Sequence, residues 1–292
     1  MKPFRIAGIS FWPELWKAKT NLQQILRFLP EAVEAGAQVI ATCEGSLDGY
    51  ITRDLEKHKI RREDRNTRGF RQRVATFRRR AVRLARRIRD ECIPVLQKAA
   101  ARHGVYLFAG GLDLRGNALF NTSHVIDPTG EVIGKYDKVI TDFEVINQVG
   151  AGYPVFRTPW APIGVCICAD RQAPEIPRSI ALAGARVMII NSYGMHGEGP
   201  NERFIRQRAY ENGMFVLFCH PGETVVVDPR GRIIASSSEW EHVLVREIDP
   251  SQAVGRGVFG NRKMARTYLI GDSEDAYAKR HRENVRRRMK AK

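Results

Sequence analysis

The sequence has few of the features that mark a membrane-inserted, secreted or metal-binding protein. Its 292 residues include only 5 cysteines and 7 histidines, and no stretch approaches the ~18 unbroken apolar residues of a membrane helix. The first residues, MKPFRIAGISFWPELW, lack an apolar core followed by a small-residue cleavage site, so we predict no signal peptide. An odd number of cysteines in a chain of this size is typical of a reduced, cytoplasmic protein.

Acidic residues are also scarce, with 32 Asp and Glu against 48 Lys and Arg, which gives a net charge of +16. The excess lies in two segments. Residues 53–90 contain 16 Lys or Arg and 5 Asp or Glu, and residues 279–292 contain 8 and 1. The rest of the chain is nearly neutral, so any affinity for polyanions is expected in these segments and not at a central site.

The remaining sequence alternates between strand-like and helix-like patterns, which predicts an α/β fold of two or four layers around one continuous core. A helix is predicted over residues 21–35, where apolar residues recur every three or four positions and Gly36 follows. Later helices are predicted near 174–183 and 201–213. The predicted strands cover FRIAGIS, AQVIAT, VYLFAGGL, LFNTSHVID, EVIGKYDKVI, WAPIGVCIC, RVMIINS, MFVLFCH, TVVVDPRGRIIAS and HVLVREID.

The arginine-dense stretch 53–92 has its own helical pattern. Its apolar positions step by three or four residues, which predicts an amphipathic helix with a strongly basic outer face. Pro94 interrupts this helix or starts a further one that extends to about His103. A solvated surface, an anionic partner and a subunit contact are all compatible with the pattern. The apolar positions are Phe70, Val74, Phe77, Ala81, Leu84, Ile88 and Cys92.

The stretch GVCICADRQAPE places two cysteines at the end of an apolar strand. Cys168 precedes a tight strand-to-helix turn, where free N–H groups and the helix dipole stabilise a thiolate. Cys166 lies inside the strand, a position typical of a small buried hydrophobe. A metal-binding Cys-x-Cys pair would need a second pair or a His-x3–5-His run nearby, and the sequence has neither, so we predict no metal site.

A nucleophilic cysteine needs a base and donors for the oxyanion. The histidines are not clearly placed for this role, although His196 and His220, on loops after strands, stay open as candidates. Glu44 and Lys138 each follow an apolar strand, and sites in α/β proteins gather at the C-terminal ends of strands. We therefore predict a Cys–Lys–Glu site.

Five stretches resemble motifs of the nitrilase, or carbon–nitrogen hydrolase, superfamily. The resemblance implies a four-layer α-β-β-α sandwich over residues 1–271, with an Arg-rich helical insertion at about 53–92 and a basic tail at 272–292. Cys43 departs from the usual proline before the glutamate, and Ser10 departs from the usual glutamine of the first strand. The motifs are ATCEGSLDGY, NTSHVIDPTGEVIGKYDKVI, GVCICADRQAPEIPR, RQRAYENGMFVLFCHPG and VVVDPRGRIIAS.

The same resemblance implies a mechanism that needs no metal or organic cofactor. Glu44 takes the thiol proton, and Cys168 attacks the carbonyl carbon of an amide-like substrate to form a thioester. Lys138 and the backbone N–H of Ala169 stabilise the oxyanion. Glu144 matches a second glutamate that positions the lysine or the substrate in many relatives; an ordinary surface acid is the alternative.

Arg171 and its neighbour bear on the expected substrate class. Relatives that hydrolyse N-carbamoyl amino acids carry two arginines here to hold the substrate carboxylate, but this sequence has Gln172 in the second position. A carboxylate-bearing carbamoyl compound and a plain or ω-amide therefore both stay open. The expected partners are a small-molecule amide and further copies of the chain in a homodimer or larger assembly, without membrane insertion. The competing hypothesis is a protein that binds polyanions through residues 53–90 and 279–292. In that case the hydrolase body is inactive or has only a secondary function.

Overall fold

The computed structural model describes residues 1–194 and 200–253. The predicted basic tail at 272–292 and His196 lie outside this range. The described residues form twelve strands. The strands are β1 Phe4–Ser10, β2 Val39–Thr42, β3 Tyr106–Arg115, β4 Ala118–Ile126, β5 Val132–Asp137, β6 Val155–Arg157, β7 Pro162–Ile167, β8 Val187–Asn191, β9 Phe215–His220, β10 Glu223–Val227, β11 Ile233–Ser237 and β12 His242–Ile248.

Five α-helices accompany the strands. They are α1 Ala18–Glu34, α2 Phe70–Arg87, α3 Ile93–His103, α4 Glu175–Leu182 and α5 Pro200–Asn212. Within the described ranges, no helix is both long and apolar enough to cross a bilayer. The first helix begins three residues before the predicted start, and its Asn21 side chain bonds both the N–H and the C=O of Glu14 in the preceding loop.

The strands form two six-stranded sheets. Their orders are β12-β1-β2-β3-β4-β5 and β11-β10-β9-β8-β7-β6. Strands β1, β2 and β3 run parallel to one another, as do β7, β8 and β9. The C-terminal ends of the parallel strands in each sheet therefore lie at one edge, where α/β proteins place their sites. Strand β6, a three-residue edge strand, was not predicted because so short a run carries no clear periodicity.

Each sheet is buried on both faces. Phe4 and Ile6 of β1 belong to the core that also includes the second sheet and helices α4 and α5. Ala7 and Ile9 belong to a second core that packs against α1, α2 and α3. The two faces alternate along β1 because successive side chains of a strand point to opposite sides. The layers are thus helices, sheet, sheet and helices, and the predicted α-β-β-α sandwich is confirmed.

The first part of the arginine-rich segment 53–92 does not form the regular helix that was predicted. Two 3-10 turns, Ile51–Asp54 and Arg62–Asn66, precede α2, which begins at Phe70 after Gly69 in a left-handed conformation with φ of 77°. A π-helical turn, Ile88–Cys92, then links α2 to α3. Pro94 lies just after this turn, in the first turn of α3. The helical run continues from α2 through the π-helical turn into α3 without a break, so Pro94 interrupts the α-helical hydrogen-bond pattern, which is one of the two predicted alternatives.

Hydrogen bonds join the two sheets at the edge formed by the strand ends. The Asn191 side chain donates to the Thr42 carbonyl at 2.6 Å, and the Glu44 N–H donates to the Ser192 carbonyl at 3.3 Å. The Ser10 hydroxyl donates to the His220 carbonyl at 2.8 Å. These bonds fix the ends of β1 and β2 in the first sheet against the ends of β8 and β9 in the second.

Candidate active site

Glu44 lies in the turn after β2 and is fully buried. Its Oε1 atom accepts hydrogen bonds from Lys138 Nζ at 2.7 Å and from Asn121 Nδ2 at 2.8 Å. The turn passes close to β3, where a Cβ atom on Gly110 would lie 2.3 Å from the Cys43 carbonyl oxygen. Only glycine at position 110 therefore lets β3 pass beneath the turn that presents Glu44.

Lys138 follows β5 and brings one buried cation between two carboxylates. Its Nζ atom donates to Glu44 Oε1 at 2.7 Å and to Glu144 Oε1 at 2.5 Å. Burial lowers the pKa of Lys138, but the carboxylates of Glu144 and Glu44 outweigh that effect and hold the pKa well above its usual value. Lys138 is therefore a permanent cation at neutral pH, as a donor to an oxyanion must be.

Glu144 lies inside the cluster and not on the surface. Its carboxylate accepts from Lys138, from Asn147 Nδ2 at 2.8 Å, and from Asn121 Nδ2 at 3.1 and 3.2 Å. The Tyr50 hydroxyl lies 3.5 Å from Oε1. Asn121 thus bridges both glutamates. The sequence analysis did not identify Asn121 as a site residue. Its place in the NTSHVID motif could have pointed to it, but strand periodicity does not reveal the contact with the two glutamates.

Cys168 is the first residue of a 3-10 turn, Cys168–Gln172, which begins where β7 ends. Its φ of 46° is left-handed, a conformation that costs a non-glycine residue about 1–2 kcal/mol. Such strain persists where the surrounding structure fixes it, and it is common at functional sites. The residue is 6% exposed, so Cys168 is buried and does not lie on the surface.

The surroundings of the Cys168 thiol raise its pKa, so a base is needed to remove its proton. Burial and the Glu44 charge raise the pKa of Cys168, while Lys138, Arg171 and a hydrogen bond with Ser192 lower it; the net pKa is raised. The cysteine is therefore a neutral thiol before reaction. Burial likewise raises the pKa of Glu44, and this effect exceeds the lowering by Lys138. A carboxylate with a raised pKa is a better proton acceptor, so Glu44 suits the role of base.

Asp170 connects the cysteine turn to the loop that carries Lys138. Its carboxylate accepts from the N–H groups of Val139 at 3.2 Å, Ile140 at 2.8 Å and Ile167 at 3.0 Å, and from the Tyr136 hydroxyl at 2.8 Å. Burial raises the pKa of Asp170 to about 6, even though the hydrogen bonds from Ile140, Tyr136 and Ile167 and the charge of Lys138 lower it. These contacts hold the turn that begins at Cys168 against the loop that begins at Lys138. Asp170 is therefore a structural hydrogen-bond acceptor.

Arg171 lies beneath the cysteine turn and is fully buried. One terminal nitrogen donates to the Cys168 carbonyl at 2.6 Å and lies 3.3 Å from Ser192 Oγ, and the other donates to Asn201 Oδ1 at 2.6 Å. Protein acceptors thus occupy both terminal nitrogens. Ala169 is half-buried, and as the second residue of the 3-10 turn its N–H has no acceptor within that turn.

The other sequence candidates are not brought into the cluster. Cys166 is fully buried in β7 among core side chains. His220 is also buried, with Nε2 2.9 Å from the Tyr193 carbonyl oxygen. In the part of the chain that the structure describes, no group of three or more His, Cys, Asp or Glu side chains is arranged to hold a metal ion.

Aromatic side chains border the cluster on one side. The Tyr50 ring lies 5.6 Å from Lys138 Nζ and stacks on Tyr193 with ring centroids 4.8 Å apart. Trp12 meets Tyr193 edge-on at 5.8 Å, and the exposed Trp240 lies 5.2 Å from Trp12. This apolar wall, which sequence reasoning missed, excludes water from one side of the charged groups and strengthens their interactions.

The sandwich and the buried cluster of cysteine, lysine and glutamate together match the arrangement that the sequence led us to expect for a carbon–nitrogen hydrolase. A sequence profile of the carbon–nitrogen hydrolase family matches residues 5–255. The chain therefore belongs to this family, and its chemistry is the hydrolysis of a carbon–nitrogen bond.

Curated relatives include several amidases. An omega-amidase of Xenopus tropicalis is 24% identical over 274 residues, which cover 85% of this chain and 90% of that protein. An omega-amidase of Saccharomyces cerevisiae is 31% identical over 163 residues, covering 48% of this chain and 56% of that protein. A 2-oxoglutaramate amidase of Bacillus subtilis is 29% identical over 175 residues, covering 53% and 66%.

The fold also matches solved structures. The amidase from Nesterenkonia sp. superposes with a TM-score of 0.67 at 21% identity, covering 87% of this chain and 94% of that one. A mutant of the same amidase, with a TM-score of 0.68 at 20% identity, shows covalent addition of the acetamide moiety of fluoroacetamide at its active-site cysteine and covers 86% of this chain and 93% of that one. At this identity the likeness shows the fold alone.

Proposed function

We propose that this hydrolase cleaves the amide bond of a small molecule with Cys168 as nucleophile and Glu44 as general base. One observation carries the proposal: a single buried cation, Lys138 Nζ, lies within 2.7 Å of Glu44 Oε1 and 2.5 Å of Glu144 Oε1, and the Cys168 thiol is close enough to both Glu44 and Lys138 for their charges to shift its pKa. A thiol, a base and an oxyanion donor are the groups that acyl transfer requires.

In the first half of the reaction, the thiol proton passes to Glu44 as Sγ bonds to the carbonyl carbon. Glu44 then returns this proton to the leaving nitrogen, the C–N bond breaks, and ammonia or an amine departs from a thioester. In the second half, Glu44 takes a proton from water, which attacks the thioester. The C–S bond breaks, the thiol is protonated again and the carboxylic acid is released.

The oxyanion of each tetrahedral intermediate is stabilised by Lys138 Nζ and the N–H of Ala169. A donor of this kind contributes about 3–4 kcal/mol to transition-state stabilisation. Glu144 is the positioning residue for Lys138, since it accepts a second hydrogen bond from the ammonium, and Asn121 donates to both carboxylates.

The substrate we favour is an ω-amide, a short acid whose far end is a primary amide. The relatives named omega-amidase and 2-oxoglutaramate amidase support this choice. The buried guanidinium of Arg171 also favours it over the N-carbamoyl amino acids, because both of its terminal nitrogens donate to protein acceptors that include the carbonyl of Cys168. Arg171 is therefore proposed as a positioning residue and not as the substrate-binding residue that the sequence predicts.

An ammonia-release assay across three compound classes tests the proposal. Monoamides of short dicarboxylic acids are expected to give the largest kcat/KM, N-carbamoyl amino acids a smaller one, and nitriles none that is measurable. Preference for carbamoyl compounds would contradict the ω-amide assignment. Full ammonia release by Cys168→Ala on any of them would contradict the mechanism.

Three further expectations from the sequence belong to the same proposal. Residues 1–271 form the hydrolase domain, with 272–292 as a separate basic tail. The protein acts in the cytoplasm. It forms a homodimer or larger homo-oligomer, and sedimentation of the purified protein tests this oligomeric state. Its basic segments have an anionic partner, for which the many exposed arginines of residues 53–90 are the supporting observation.

A further inference from the structure

Helix α2 carries an unusual concentration of positive charge. Its 18 residues, FRQRVATFRRRAVRLARR, include eight arginines and no acidic residue. Arg79, Arg83 and Arg86 are exposed and lie on the side of the helix opposite its buried residues. With 1.5 Å of rise per residue, neighbouring members of this row are about 4.5–6 Å apart along the helix axis. We call Arg79, Arg83 and Arg86 the outer arginine row.

The outer arginine row is not neutralised by the part of the chain that the structure describes. Among residues 1–194 and 200–253, these three side chains form no salt bridge, and their one hydrogen bond is from Arg79 to Thr76 Oγ1 at 3.0 Å. The exposed Asp90, which pairs with Arg89, is the carboxylate whose pKa Arg86 also lowers. Arginines nearby behave differently: Arg62 pairs with Asp142 at 2.8 Å, and Arg89 pairs with Asp90 at 2.7 Å. The row therefore presents guanidinium groups whose donors are open to an external anion.

The apolar face of α2 is fixed to the protein. Phe77, Ala81 and Leu84 are buried in the core that α2 shares with the first sheet. Trp16 packs edge-on against Phe77 at 5.0 Å, and Arg80 lies over the Trp16 ring at 3.9 Å. A helix that inserts into a membrane surface needs its apolar face for the lipid. This one has none to offer, and its exposed residues are arginines together with Gln72 and Thr76.

We propose that the outer arginine row binds the phosphate backbone of a nucleic acid without sequence preference. Arginine donates two parallel hydrogen bonds to a phosphate, and consecutive phosphates supply a line of anions that a straight row of guanidinium groups can follow. A second copy of this chain would bring positive charge against positive charge. The segment 279–292, with 8 Lys or Arg and 1 Asp or Glu, supplies no counter-charge either.

This proposal is independent of the hydrolase reaction, because the row lies on an outer helix and none of its residues touches the Glu44–Lys138–Glu144 cluster. The expected ligand is the backbone itself, so affinity should depend steeply on salt. The logarithm of the binding constant falls with that of the salt concentration by about 0.7–0.9 for each phosphate contacted.

The test compares two triple variants of the full chain that lose the same charge. The first is Arg79→Gln/Arg83→Gln/Arg86→Gln. The control removes exposed arginines from three other elements and is Arg203→Gln/Arg230→Gln/Arg246→Gln. Fluorescence anisotropy follows a labelled mixed-sequence RNA strand and a labelled DNA duplex between about 50 and about 200 mM salt. Circular dichroism melting and ammonia release check that both variants are folded.

We expect the outer-row variant to lose at least about tenfold in affinity at the lower salt concentration and its salt slope to fall by about 2–3, one phosphate for each arginine. The control should keep most of the affinity and slope. Equal losses in both variants would overturn the proposal in favour of overall charge. Unchanged binding by the outer-row variant, with loss on deleting 279–292, would overturn it in favour of the tail. Retention on heparin or on phosphatidylserine vesicles without nucleic-acid binding would also overturn it.

Discussion

The Glu44–Lys138–Glu144 cluster and the outer arginine row both concentrate charge, but they hold it in opposite ways. In the cluster, two carboxylates and one ammonium are buried almost completely, and each carboxylate accepts hydrogen bonds from Lys138 and Asn121. In the outer row, three guanidinium groups face the solvent without an ion pair among the described residues. The charges of the cluster are paired within the protein, whereas those of the outer arginine row are accessible to an external anion.

The difference sets how each region responds to substitution. Removing one partner from a buried ion pair leaves an uncompensated charge in a low-dielectric interior, which costs about 3–5 kcal/mol. Removing an exposed charge usually changes the free energy of unfolding by less than about 0.5 kcal/mol, because water already screens it. If the proposed mechanism holds, the buried cluster couples stability to catalysis, whereas a substitution in the outer row leaves the fold unchanged.

The largest effect is expected for Lys138→Met. The substitution leaves Glu44 and Glu144 facing each other without a cation and removes an oxyanion donor. We expect the free energy of unfolding to fall by about 3–5 kcal/mol and kcat to fall by more than about 100-fold. Urea unfolding and ammonia release measure the two effects. The double variant Lys138→Met/Glu144→Gln should regain part of the stability but not the activity; wild-type stability in the single variant would contradict the account.

Glu44→Gln tests the base while keeping the shape of the cluster. A glutamine oxygen can still accept from Lys138 and Asn121, but it cannot take the thiol proton. We expect kcat to fall by about 10²–10⁴-fold, with a smaller change in stability than in Lys138→Met. Alkylation of Cys168 by iodoacetamide should also slow. Near-normal kcat in this variant would assign the proton transfer to another group.

Asp170→Asn should remove a pH dependence of stability. Because the folded-state pKa of Asp170 is about 6 and its usual value is 3.8, the folded protein binds this proton more tightly than the unfolded chain does. The contribution of Asp170 to the free energy of unfolding is therefore greatest below about pH 4 and falls as pH rises to about 6, by up to about 3 kcal/mol.

The measurement is the difference in unfolding free energy between the wild type and Asp170→Asn, taken from urea titrations across this range. That difference should decrease from about pH 4 to about pH 6 and be constant above it. A difference that rises with pH would mean that the four donors around Asp170 outweigh its burial.

The smallest effect is expected for the outer-row variant in the absence of nucleic acid. Because its three arginines are exposed and lack ion pairs among the described residues, each replacement should change the free energy of unfolding by less than about 0.5 kcal/mol. Ammonia release should match the wild type. A marked loss of either property would show that the row supports the fold, and the contrast between the two charged regions would no longer hold.

Much of the fold could be predicted because its signals are local. The apolar period of α2, the strand FRIAGIS and the glycine after α1 each encode an element within a few residues. Glu44, Lys138 and Cys168 were predicted from the same local logic, since each lies within two residues of the end of a strand. The short edge strand β6 and the 3-10 turns before α2 lack such periodicity.

The contacts inside the site depend on tertiary structure and could not be predicted in this way. Asn121 and Glu144 meet because β4 and the loop after β5 bring together residues 23 positions apart in sequence. The destination of the Arg171 side chain depends on Asn201, which lies on α5. No pattern around GVCICADRQAPE distinguishes an arginine that faces the substrate from one that supports the turn.

The central claim is that Cys168 forms a thioester with the acyl part of an amide. Rapid acid quench during turnover of a dicarboxylic acid monoamide, followed by peptide mass spectrometry, tests it directly. To avoid ambiguity, the experiment uses Cys166→Ala, which removes the neighbouring core cysteine and should keep its activity. The account predicts an acyl adduct on Cys168 that hydroxylamine removes. Turnover with no adduct on Cys168, or with an adduct on another residue, would contradict it.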